Sequence, residues 1–191
     1  MLYKIEEKKE KEQKETKKEQ KKEVHEKKQK QKEETENKNN FPLNLKVAKI
    51  TSVEEVKDAD KLYILQLELK GEKRQIVAGI KKYYAKEALL NKKILIIANL
   101  KPAKIKGIKS EGMLLVAEKD NNLKLLDPGA AEEGETAKIE GLENRASRVE
   151  YDDFAALNLE VKGKKVLFQG KALKIGKNPI IADMPDGSKI S

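Results

Sequence analysis

Between residues 43 and 140, apolar side chains recur at every second position or in short unbroken runs, the two spacings that strands produce. Lys46–Val53 is predicted as a first strand, followed by a turn through Lys57, Asp58, Ala59 and Asp60. In Leu62–Leu69, the residues Tyr63, Leu65, Leu67 and Leu69 share one face, with Gln66 and Glu68 on the other. Gly71 turns the chain into a third strand, Arg74–Ala78. Tyr83–Leu90 is the one good helical stretch, and Asn91 can close it. Lys93–Leu100 contains the run Ile94–Ala98, as expected of a strand buried on both faces, and Gly112–Glu118 is similar.

Three strands, a short helix and then further strands within about 100 residues fit a mainly β fold, a five-stranded Greek-key barrel of the OB type. Residues 141–191 read as a short β-rich module, with a turn of helix at Tyr151–Leu157 and a hairpin over Val166–Ile175 around Gly170. A unit of that size, with few large apolar groups and no disulfide, is marginal alone and should pack on the barrel. Residues 1–40 show neither period. Beyond Ile5 their only aliphatic side chain is Val24, so no heptad seam exists. Glu–Lys pairs four apart, such as Glu7/Lys11 and Glu23/Lys27, support a solvated tail, disordered or a single helix. Lys11, Lys14, Lys18 and Lys21 would share one face of that helix, and the sharper alternative is an auxiliary RNA-binding arm. The expected organisation is thus a tail (1–40), a barrel domain (41–140) and a C-terminal module (141–191).

Charge changes the picture. The 191 residues carry a net +9. Residues 1–40 hold 14 Lys against 11 acids, residues 41–140 hold 19 basic against 15 acidic, and residues 141–191 hold 9 against 7. The excess is spread along the chain, yet from Lys92 to Lys109 there is no acid at all. Cysteine is absent, which excludes disulfides and thiol catalysis and fits a reducing cytoplasmic setting. No stretch approaches the roughly 18 apolar residues of a membrane span, and the N-terminus lacks a signal-peptide core.

Candidate chemistry is sparse. The sole histidine, His25, lies in the charged tail, so no His-based triad or His-rich metal site can form on the folded part. Gly170–Asn178 only approximates a phosphate-binding P-loop: the glycine spacing is one residue too long and Asn178 stands where Ser or Thr should be. Asp58/Asp60 and Asp152/Asp153 are paired carboxylates in turn-like surroundings. A non-enzyme without cofactor or metal is expected. What remains is the string Asn99–Glu118, NLKPAKIKGIKSEGMLLVAE, with Lys101, Lys104, Lys106 and Lys109 within nine positions. A positive loop that joins two core strands is suited to holding a phosphate backbone at the rim of a sheet.

Three segments, Asp58–Tyr63 (DADKLY), Val77–Gly79 (VAG) and Asn99–Ala117, occur in the order and spacing of a known family. Here the chain resembles the tRNA-binding domain of the EMAP-II/Arc1p family and of the C-terminus of many methionyl-tRNA synthetases, from Leu43 to about Ile139. Weaker similarity continues through Val161–Ser191, where GKALKIGK and MPDGSKIS look like the extra C-terminal module of the EMAP-II-like branch. The resemblance implies an OB-fold that binds tRNA by shape and backbone charge and delivers it to a partner synthetase, methionyl- or glutamyl-specific. It also implies a monomer in which the extra module covers the surface that a second barrel would otherwise occupy, a pseudo-dimer. By the same resemblance, Ser110 and Met113 match a serine and methionine implicated in tRNA contact, and Asn99, Lys101 and Lys104 match the family's asparagine and lysines.

The expected tRNA-binding set is therefore Asn99, Lys101, Lys104, Lys106, Lys109, Ser110 and Met113, with help from Lys61, Arg74 and Lys81. Two rival readings stay open. One is a generic single-strand-binding OB module, for which the stacking aromatics are few. The other is a scaffold or secreted cytokine-like protein that binds RNA incidentally; Lys46 and Ala48, where relatives usually carry Arg and Gly, argue against cytokine-like activity.

Overall fold

The computed structural model describes residues 40–144 and 147–191, and these form a mainly β structure in which Phe41–Ser191 is one compact unit. The expected tail helix and its lysine stripe lie outside the described residues. After the two-residue β1 (Asn40–Phe41), the chain builds β2 (Leu45–Glu55), β3 (Tyr63–Leu69), β4 (Glu72–Ala78), helix α1 (Lys86–Leu89) and β5 (Lys93–Ile97). Antiparallel pairing joins β2 to β3, β3 to β4, and β2 to β5. β2 is long enough to pair β5 along one edge and β3 along the other, and its register against β3 shifts between Ile50 and Ser52. Such a bulge bends a strand and strengthens its twist.

The alternation read from the sequence decides what is inside. Tyr63, Leu65, Leu67 and Leu69 are all buried, and with Ala48, Ile50, Ile76, Ile94 and Ile96 they fill the curl of the sheet. The intervening Leu95 and Ile97 are equally buried but face a second core on the outer side, beside Leu45, Val47, Leu115 and Ala117. The run from Ile94 is thus apolar throughout because both of its faces are covered.

Past β5 come β6 (Ala103–Ile105), β7 (Ile108–Ser110), β8 (Met113–Leu114), β9 (Val116–Lys119) and β10 (Asn122–Leu125). β8 returns to pair with β5. The ladder β4–β3–β2–β5–β8 does not close on itself. The five-stranded barrel expected from the sequence is a curled open sheet. Its seam is bridged by single bonds: the Glu111 N–H donates to the Gln75 carbonyl at 2.8 Å, and the Val77 N–H donates to Ser110 Oγ at 3.0 Å. The expected strand Gly112–Glu118 is split into β8 and β9, and at the break the Leu115 N–H reaches the Leu95 carbonyl at 3.0 Å.

The remaining elements are β11 (Thr136–Ile139), β12 (Glu143–Asn144), helix α2 (Tyr151–Ala155), β13 (Leu159–Lys162), β14 (Lys165–Phe168), β15 (Lys171–Ile175), β16 (Asn178–Pro179) and β17 (Lys189–Ile190). β14 and β15 form the hairpin expected around Gly170, where Gln169 and Gly170 both have positive φ. This part shares the outer core: Phe154, Val161, Val166, Phe168 and Leu173 pack with Leu45 and Ile97, and the Phe41 and Phe168 rings lie 5.3 Å apart. The sheet is continuous as well, since β11 pairs β15 on one side and β2 on the other, and β17 pairs β9. Among the described residues, no helix is long and apolar enough to cross a membrane.

Candidate nucleic-acid interface

Lys101–Lys109 was expected as a loop, and it is a hairpin. β6 and β7 form their own two-stranded ribbon, with Ala103 opposite Ser110, Lys104 opposite Lys109 and Ile105 opposite Ile108. Lys106 and Gly107 turn it with φ of +51° and +81°. Two successive positive φ values match the twist of the flanking strands, and glycine reaches them without strain. Alternation puts Lys104 and Lys109 together on one face. Ile105 stays 36% exposed at the tip, while Ser110 at the base is buried.

The four lysines are not equivalent. Lys101 Nζ sits 2.8 Å from Glu150 Oε1, and Lys109 Nζ sits 2.6 Å from Glu111 Oε1. That contact, the Gln75 N–H and nearby cations hold the Glu111 carboxyl below its usual range, against a smaller opposing effect of burial. Among the described residues, Lys104 and Lys106 have no carboxylate within 4.0 Å. The uncompensated charge is therefore concentrated at the tip.

Three predicted contacts turn inward. Ser110 Oγ accepts from the Val77 N–H and donates to the Gly112 carbonyl at 3.0 Å, so its hydroxyl ties the ribbon to β4. Asn99 is 8% exposed: its Oδ1 accepts from the Asn44 N–H at 2.8 Å, and its Nδ2 donates to the carbonyls of Pro42 (2.9 Å) and Ser147 (2.8 Å). Met113 is half-buried against the outer core. Arg74 is likewise engaged. Its guanidinium contacts Glu72 at 2.6 Å and donates to the carbonyls of Ala98 (2.6 Å) and Glu111 (3.1 Å), stapling the open seam. Lys61 and Lys81 form a separate group beyond the far end of β4, joined by a backbone bond of 3.2 Å. Lys61 is exposed; Lys81 lies 2.7 Å from Glu55, which also meets Lys86 at 3.2 Å. The hydrogen bonds from Lys81 and Lys86 lower the Glu55 carboxyl, and the Glu55 hydrogen bond raises the Lys81 ammonium.

Beside the hairpin base lies a shallow cleft of about 350 Å³, lined among others by Asn44, Lys73, Arg74, Asn99, Pro102 and Arg148. Arg148 and Lys73 were not expected there. Arg148 arrives because residues 147–150 are clamped against the hairpin base: Asn99 holds Ser147, the Val149 N–H donates to the Asn99 carbonyl at 3.0 Å, and the Lys101 N–H donates to the Val149 carbonyl at 2.9 Å. No local sequence pattern announces a contact between positions so far apart.

A basic ribbon with an exposed apolar tip is suited to gripping a phosphate backbone, and the cleft beside it adds Lys73 and Arg148, with Glu72 and Glu111 also in its lining. Residues 45–136 match the family model described as a putative tRNA binding domain. These residues belong to that family. Within this tRNA-binding domain lie all ten predicted positions, whereas Arg148 lies outside it. The chain is 52% identical over 86 residues to a methionine–tRNA ligase of Thermococcus onnurineus and 43% identical over 90 residues to that of Listeria monocytogenes. Those matches cover 45% and 47% of this chain but only 12% and 14% of the ligases, so the chain spans a small fraction of their length. The crystal structure of the C-terminal domain of Plasmodium vivax p43 is similar with a TM-score of 0.71 and 28% identity, covering 78% of this chain and 96% of that one. The likeness to p43 thus extends well past the tRNA-binding domain.

Proposed function

We propose that this chain is a non-catalytic tRNA-binding protein that holds tRNA by contour and backbone charge and delivers it to an aminoacyl-tRNA synthetase, methionyl- or glutamyl-specific. The carrying observation is the β6–β7 ribbon, whose Lys104 and Lys106 have no acidic partner among the described residues, on a domain of the tRNA-binding family. Lys104 and Lys106 meet phosphates directly. Lys101 and Lys109 join them by exchanging Glu150 and Glu111 for the ligand, and Lys61 and Lys81 extend the contact. Asn99, Ser110 and Arg74 position the ribbon, and Met113 underpins its base.

Residues 41–140 are the binding domain and residues 141–191 a module that covers its outer face in place of a second copy, giving a pseudo-dimeric monomer in the cytoplasm. Residues 1–40 add a second weak contact to the same RNA. Neutralising about five phosphates gives a slope of log affinity against log salt of roughly −3 to −5. Phosphate contacts position a ligand without reading its sequence, so discrimination among tRNA species is weak.

Competition between folded tRNA and unstructured RNA of equal length tests the reading. Preference for folded tRNA supports it; equal binding makes the chain a general single-strand binder. Recovery of a methionyl- or glutamyl-tRNA synthetase on co-purification supports delivery, and recovery of none overturns it.

A further inference from the structure

Across the junction between the tRNA-binding domain and residues 141–191, the sheet carries lysines that the proposed site does not use. Lys138 on β11 stands directly opposite Lys174 on β15, while their neighbours Ile139 and Leu173 are both buried. The two ammonium groups therefore share the outer face. With Lys177, in the turn after β15, they line a groove of about 790 Å³ whose acids are Glu135 and Glu140. Only Lys174 is paired there, with Glu140 at 3.1 Å.

The pattern repeats on the next hairpin. Lys162 on β13 faces Lys165 on β14, both exposed, with Val161 and Val166 buried between strands and core. Like charges directly opposite on antiparallel strands are destabilising. The binding ribbon contains the same arrangement in Lys104 and Lys109. Opposed lysine pairs thus recur at three places in the fold; Lys109 and Lys174 each have a carboxylate partner, and an anion that spans a pair would relieve the repulsion that remains.

The groove lies on the same sheet as the cleft beside the proposed site. The β11–β2 ladder ends at Ala137 and Leu45, one residue short of Lys138 and of Asn44, whose carbonyl accepts from the Ala98 N–H at 2.8 Å. Asn44 and Ala98 both line the cleft that holds Arg74 and Arg148. Three strand spacings, about 14 Å, separate Lys174 from that cleft. The groove and the cleft share no lining residue, and the distance between them is one that a single RNA backbone can span.

We propose that Lys138, Lys174 and Lys177, flanked by Lys162 and Lys165, form a second contact surface for the phosphate backbone of the same RNA, which then lies across both parts of the fold. This rests on the tRNA-binding reading above. The test titrates the full chain with total tRNA over a salt series, comparing wild type with Lys138→Gln/Lys177→Gln and with Lys104→Ala/Lys106→Ala. The first variant leaves the Glu140–Lys174 pair intact. It should bind about fivefold more weakly near 100 mM salt and lose about 2 from the salt slope, with a melting temperature equal to or slightly above that of wild type. Combined with the ribbon variant, its fold-loss should multiply. Unchanged affinity and slope, with the ribbon variant weakened, overturns the second surface and leaves the ribbon reading standing. Wild-type indifference to tRNA overturns both. If the groove variant melts lower, Lys162→Gln/Lys165→Gln on the separate hairpin decides: weakened binding supports the surface, and unchanged binding refutes it.

Discussion

Replacing Asn99 with alanine separates a positioning role from direct RNA contact. The carboxamide makes three bonds of 2.8 to 2.9 Å, to the Asn44 N–H and to the carbonyls of Pro42 and Ser147. Its loss leaves a backbone donor without its partner next to the core, and two carbonyls that water can partly reach. Leaving a buried donor unsatisfied costs about 1–3 kcal/mol, and each lost carbonyl bond about 0.5–1.5 kcal/mol, so a destabilisation of about 3 kcal/mol is expected. For a unit of this size that lowers the melting temperature by about 6–12 °C. Urea denaturation of wild type and Asn99→Ala measures the first figure and a thermal scan the second. Well below its own melting point, the variant should retain most of its tRNA affinity, because no polar atom of Asn99 is left to face a ligand. A stability loss under about 1 kcal/mol, together with a tenfold loss of tRNA affinity, would refute the reasoning.

Ser110→Ala removes the acceptor of the Val77 N–H and should destabilise the chain by about 1–2 kcal/mol in the same denaturation assay, with tRNA affinity following stability only. Glu150→Gln frees Lys101 from its carboxylate and should tighten tRNA binding about twofold in a low-salt titration, an effect that vanishes at high salt. The Glu111 carboxyl lies below its unfolded value, so its contact with Lys109 stabilises fully above the ordinary carboxylate range and is lost as pH falls through the lowered value. Denaturation midpoints measured from about pH 5 to pH 3 should fall less steeply in Glu111→Gln than in wild type.

The core elements were legible wherever a local period reports burial. The alternation of Tyr63–Leu69 and the run at Ile94–Ile97 both follow from which faces are covered. Hairpin turns were legible at Gly71 and Gly170, where glycine follows a polar residue between apolar strands. The ribbon was not, because its strands are three residues long and alternate lysine with isoleucine, a pattern too short to separate from a charged loop. The signal that marks it is Lys106-Gly107 between Ile105 and Ile108. The expected helix Tyr83–Leu90 shrinks to Lys86–Leu89 because the N–H groups of Tyr83 and Tyr84 both turn back to the Ile80 carbonyl, and Ala85 is extended with ψ of 155°.

At the site, residue types were legible but their orientation was not. Asn99, Ser110 and Arg74 are polar positions at the right place in the chain, yet their partners are backbone groups brought in from residues 42–44, 77, 98 and 147. Counting charge along the sequence likewise misses Glu150 and Glu55, which come from elsewhere to neutralise Lys101 and Lys81. Arg148 enters the cleft only through the clamp on residues 147–150.

The most direct measurement is tRNA affinity against salt for the full chain and for Lys101→Ala/Lys104→Ala/Lys106→Ala. A ribbon that grips phosphates predicts a loss of more than about 2 kcal/mol and a salt slope about 2 to 3 shallower. The same affinity and the same slope in the triple variant would contradict it.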